Sequence, residues 1–121
     1  DQLLKIGQEA VEGNYFSTHY SPEAGSENGK RFVAAYQKAY KGELPDAMAA
    51  LGYDSAMILA DAIRRAGGTD PAKLKGALAA TKDFDAVTGR ITINPQRDAT
   101  KSAVILQVKE GKFKYVETIN P

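Results

Sequence analysis

The hydrophobic period changes once along the chain, and that change constrains the fold more than any other feature. From Ser26 to Thr81 apolar residues recur at helical spacing; from Gly89 to Ile119 they fall in short strand-like runs. In the first region Phe32, Ala35, Tyr36, Ala39 and Tyr40 follow the i, i+3, i+4 rule, predicting an amphipathic helix over about Glu27–Tyr40. Ser26 or Asn28 can cap it, Gly42 ends it and Pro45 prevents its continuation. A second helix spans Asp46–Ala66, with Met48, Leu51, Ser55, Leu59, Ala62 and Ile63 on one face and Ala49, Ala56, Met57 and Ala60 widening the apolar surface. Arg64 and Arg65 suit the negative end of its dipole, and Gly67-Gly68 is the stop signal. A third opens at Asp70-Pro71 and buries Leu74, Ala77 and Leu78.

In the second region GRITINP, SAVILQV and FKYVETI read as strands, with Glu110-Gly111 as a hairpin turn. Phe84 and Val87, in the link from helix to strand, tuck inward. Before the helices, Asp1–Glu12 reads as a short helix or loop broken by Gly13. Asn14–Ser21 is strand-like, and Ser21–Gly29 is turn chemistry throughout. Strand and helices followed by a terminal hairpin predict an α/β fold.

At 121 residues this is one domain or part of one. A net charge of +1 without basic runs gives no electrostatic case for nucleic acid. Absence of cysteine excludes disulfides, thiolate metal sites and cysteine nucleophiles. His19 is the single histidine and has no spaced co-ligands. No serine sits in a nucleophile elbow, and Gly29-Lys30 lacks the upstream glycine and following hydroxyl of a phosphate loop. Asp83 and Asp85 are two apart and point opposite ways in an extended chain. Asn94–Asp98 reads as a turn, not a calcium loop. The chain is expected not to be an enzyme and to need no cofactor.

Gly52-Tyr53-Asp54, near the start of the second helix, admits two readings. Tyr53 can pack its ring and wet its hydroxyl while Asp54 favours the early helix through the dipole. Alternatively, the three residues form a ligand-facing edge.

The runs ALGYDSAMILADAIRRAGGTDPAKLKGALAAT and VTGRITINPQRDATKSAVILQVKEGKF, with EGNYFSTHYSPE before them, resemble the C-terminal part of the branched-chain amino-acid binding proteins. These are the periplasmic substrate-binding components of ABC importers of the leucine/isoleucine/valine type. The family's usual Phe-Asp after the strand is Ile93-Asn94 here. The resemblance implies a non-catalytic receptor whose two lobes close on an amino acid or similar small molecule. It implies a periplasmic or secreted location, or a cell-surface lipoprotein, and an ABC transporter permease as partner.

For the fold, the resemblance implies part of a type I periplasmic-binding-protein lobe: helices on a short, mostly parallel sheet, ending in a β-hairpin. Residues 13–88 would form the lobe-like strand and helices, and 89–121 a hinge strand and the hairpin. Tyr53 would line the ligand cleft, Gly52 would admit close backbone approach, and Asp54 would orient neighbouring backbone or meet an ammonium group. As a C-terminal portion the chain is expected to be incomplete for binding alone. Unpaired strand edges would drive it to a dimer, a larger homo-oligomer or a complementing fragment. A stand-alone α/β interaction or sensor domain derived from the same fold is the alternative.

Overall fold

The computed structural model describes residues 2–24 and 26–121; Asp1, and Gly25 within the Ser21–Gly29 turn, lie outside the described residues. Helix α1 (Gln2–Gly7) runs into a 3-10 turn, Gln8–Val11, before strand β1 (Tyr15–Thr18). Three helices follow: α2 (Glu27–Ala39), α3 (Ala47–Ala66) and α4 (Pro71–Ala79). The chain then forms β2 (Phe84–Ala86), β3 (Gly89–Ile93), β4 (Ala99–Thr100), β5 (Ala103–Lys109) and β6 (Lys112–Ile119).

Local chemistry sets the helix ends. The side chains of Ser26, Asp46 and Asp70 accept hydrogen bonds from the N–H groups of Gly29, Ala49 and Lys73, satisfying donors that the first turns leave free. Gly67, at φ 72°, closes α3 in the left-handed conformation that glycine adopts without strain. Glu110 and Gly111 both have positive φ and turn β5 into β6, and the Glu12 carboxylate accepts from both their N–H groups. Between Ile105 and Leu106 the register slips, leaving Val116 as the extra residue on β6.

The strands form two sheets, in the orders β1-β5-β6 and β2-β3-β4, and every pairing is antiparallel. This corrects the expectation of a mostly parallel sheet. A parallel pair needs a crossover that returns the chain to the same sheet. Here the three long helices carry it from β1 in one sheet to β2 in the other. Consecutive strands within a sheet then pair as neighbours, and β1 lies antiparallel to β5, with Tyr15 opposite Gln107 and Thr18 opposite Val104.

The elements gather in two groups. One holds α1, the 3-10 turn and the sheet β1-β5-β6; the other holds α2, α3, α4 and the small sheet. Tyr20, Phe32, Ala50 and Val87 form a buried cluster where the β1–α2 connection meets the helices, with Val33, Tyr36, Ala47 and Ala49 packed against it. The buried positions of α3 are Ala50, Asp54 and Ala62. The predicted face is therefore rotated: Ala62 is inside, but Met48 is 71% exposed and Leu59 43%. Helical periodicity identified an apolar stripe without specifying which side of this unusually apolar helix meets the rest of the chain.

Gly89 follows the β2–β3 turn at φ 115°, and a Cβ built there would lie 2.9 Å from the Ser102 hydroxyl oxygen. Gly89→Ala should lower the unfolding free energy by about 1–3 kcal/mol in urea titration. Gly52→Ala should instead stabilise by about 0.5–1 kcal/mol, because Gly52 is helical and an added methyl meets nothing within 4 Å. Equal effects at the two glycines would contradict this assignment of strain.

Candidate functional site: two grooves around a buried carboxylate

Asp54 is the most buried charged side chain described, at 2% exposure. Removing a carboxylate from water is unfavourable unless donors replace the lost hydration. Backbone donors do so here: Val87 N–H reaches Oδ1 at 2.8 Å and Thr88 N–H reaches Oδ2 at 2.9 Å. The first half of α3 thereby holds the turn between β2 and β3.

Two further polar side chains lie in the field of this carboxylate. Tyr20 is buried and packs edge-on to Phe32, with ring centroids 6.3 Å apart. Its hydroxyl has no hydrogen-bond partner among the described residues. Burial, and secondarily the charge of Asp54, raise its pKa above the ordinary phenol value. Lys101 is half-buried. Desolvation lowers its pKa, with the Asp54 charge acting in the opposite direction.

The surface near this centre carries two grooves. The first, about 410 Å³, lies between α2, α3 and β2. Phe32, Tyr53, Met57 and Phe84 supply its apolar walls. At its rim Asn28 donates to the Asp85 carboxylate at 2.9 Å and accepts from Arg31 at 2.6 Å, so these polar groups satisfy one another.

The second groove, about 700 Å³, lies between the sheet β1-β5-β6 and the N-terminal end of α3. Phe16, Leu106 and Phe113 line it from the sheet, Tyr20, Ser21 and Glu23 from the β1–α2 connection, and Leu44, Asp46 and Ala47 from the approach to α3. Ser21 Oγ accepts from Glu23 N–H at 3.2 Å, and the Glu23 carboxylate accepts from Tyr115 N–H at 3.1 Å, beside the β6 bulge. This groove joins the two structural groups and brings aromatic walls together with a carboxylate and a helix start.

The three residues singled out from sequence occupy different surroundings. Tyr53 lines the first groove, its ring 4.9 Å from Phe32 and 44% of its surface exposed. Asp54 lies at the base of that groove with both oxygens engaged by backbone. Gly52 is exposed and lines neither groove. Sequence reasoning passed over Tyr20, Ser21 and Glu23. The available signal was their position in EGNYFSTHYSPE, one of the runs that carry the family resemblance.

The fold as a whole is shared with known proteins. A family model described as periplasmic binding protein matches residues 1–112. A leucine binding protein from Thermotoga maritima is 43% identical over 99% of this chain and 34% of its own, with a TM-score of 0.86. The branched-chain amino acid transporter substrate binding protein of Streptococcus pneumoniae, solved in complex with isoleucine, is 31% identical over 98% of this chain and 34% of its own, at TM-score 0.82. A solute binding protein from R. palustris in complex with benzoate shares the fold at TM-score 0.80 and 24% identity, over 100% of this chain and 34% of its own. The fold is thus that of part of a periplasmic binding protein. The chain belongs to the periplasmic binding protein family. It spans about a third of the length of these solved relatives, 34% in each case.

Asp54→Ala strands two buried N–H groups and should cost about 3 kcal/mol in urea unfolding. An unchanged midpoint would contradict a structural role for Asp54. Tyr20 gives a pH prediction. Its raised folded-state pKa means its contribution is fully present below the ordinary phenol value and is lost as pH rises through the raised value. In ultraviolet titration the last tyrosinate to form should be absent from Tyr20→Phe, and that variant should lose less stability at alkaline pH.

Proposed function

We propose that the chain supplies one part of the ligand cleft of a solute-binding protein for a branched-chain or related amino acid, feeding an ABC transporter permease. The observation that carries this reading is the second groove, which lies between the two structural groups where closure would sequester a small molecule. Phe16, Leu106 and Phe113 would face an aliphatic side chain, while Glu23 would attract an ammonium group. The first turn of α3, whose Ala49 N–H is already taken by the Asp46 carboxylate, would offer its other free N–H groups to a carboxylate. Tyr53 would line the adjoining groove, and Asp54 would act indirectly, by holding the Val87–Thr88 turn beside both groups. Residues 13–88 and 89–121 would contribute to both sides of the cleft, because β1 and β5 belong to one sheet.

The chain alone would bind weakly, and its exposed Ile6, Leu44 and Met48 support self-association or pairing with a complementary fragment. A chimera in which residues 2–121 replace the matching third of the Thermotoga relative should bind leucine by calorimetry. Glu23→Gln in that chimera should weaken binding by about tenfold, the loss expected of one charge-assisted hydrogen bond. A folded chimera indifferent to leucine, isoleucine and valine would overturn the substrate class. Unchanged affinity in Glu23→Gln would remove Glu23 from the site.

A further inference from the structure

The chain passes between its two structural groups at two places: after β1, beginning at His19, and before β5, at residues 101–102. Lys101 sits at the second crossing, directly after β4. Its ammonium donates to the carbonyl of His19 at 3.0 Å and to that of Ser102 at 2.9 Å. His19 and Lys101 are 82 residues apart in sequence, so this contact joins one crossing to the other. The side chain also lines a cavity of about 260 Å³ with Asp54, Leu51, Ile58, Ile91 and Ile93, where the helix layer meets the small sheet. Among the described residues it forms no ion pair.

We infer that Lys101 is a positioning residue that clips the two crossings together and thereby fixes the angle between the sheet and the helices across the second groove. An ammonium group suits this task because it has three donors and no acceptor, so it can hold two carbonyls at once. The two carbonyls lie immediately beyond the end of β1 and before the start of β5. The buried carboxylate of Asp54 offsets part of the cost of drawing the ammonium out of water. Any effect on ligand closure rests on the function proposed above; the clip itself stands on the geometry alone.

The test reads the angle directly. The chain has no cysteine, so spin labels can be placed uniquely at Lys75→Cys on α4 and Glu117→Cys on β6, both exposed. With the labelled parent diluted in excess unlabelled chain, pulsed dipolar spectroscopy should give one narrow distance distribution. Lys101→Met keeps the aliphatic stem and should broaden that distribution, with helix content unchanged by circular dichroism. Lys101→Arg, which retains several donors, should restore most of the narrow peak. A distribution in Lys101→Met identical to the parent would overturn the inference. Should Lys101→Met fail to fold, nuclear magnetic resonance of the parent decides. A slowly exchanging Lys101 ammonium with scalar coupling to the His19 and Ser102 carbonyl carbons supports the clip. A freely exchanging ammonium without coupling refutes it. Neither readout depends on the identity of any ligand.

Discussion

The carboxylate of Asp54 is the contact on which the arrangement of the helices, the small sheet and the crossings depends. Its two oxygens accept from adjacent backbone N–H groups 33 and 34 residues further along the chain. A pair of converging donors fixes both distance and orientation, which a hydrophobic contact does not. The turn so fixed leads into Gly89, whose positive φ starts β3. The same carboxylate acts on Tyr20, in the β1–α2 connection, and on Lys101, before β5. One charge near the middle of the fold is therefore felt at both places where the chain passes between its two groups.

That arrangement explains why the larger groove lies where it does. The sheet β1-β5-β6 is held internally by its ladders, and the helical group by the cluster around Phe32 and Ala50. Between them run two short connections, the Tyr20–Phe32 packing and a few polar contacts such as Glu23 to Tyr115. Surfaces joined by so few contacts leave a gap, and the gap is lined by whatever flanks the crossings.

Much of the secondary structure was legible because its signals are local. Ser26, Asp46 and Asp70 cap helices from one residue outside them, and Glu110-Gly111 makes its hairpin from two adjacent residues. The short strand β2 was missed, since Phe84–Ala86 is too brief to show an alternation. The face of α3 was misjudged because apolar residues nearly encircle it. Met48 and Leu59 match the periodicity yet stay exposed, whereas Asp54, a residue type seldom buried, is inside. For the candidate site, the resemblance pointed to Tyr53, but which groove Tyr53 faces depends on how α2 packs against α3.

By itself, then, the sequence determined the helices, their ends, the C-terminal hairpin and the family, because each is encoded in residues within a few positions of one another or in an ordered run of motifs. Only the tertiary structure decided that both sheets are antiparallel, since strand direction follows from which sheet the chain re-enters after α4. It also decided that Asp54 serves a distant turn and that Lys101 spans two crossings. Those contacts join residues 33 and 82 positions apart, and no spacing rule relates such positions before the chain has folded.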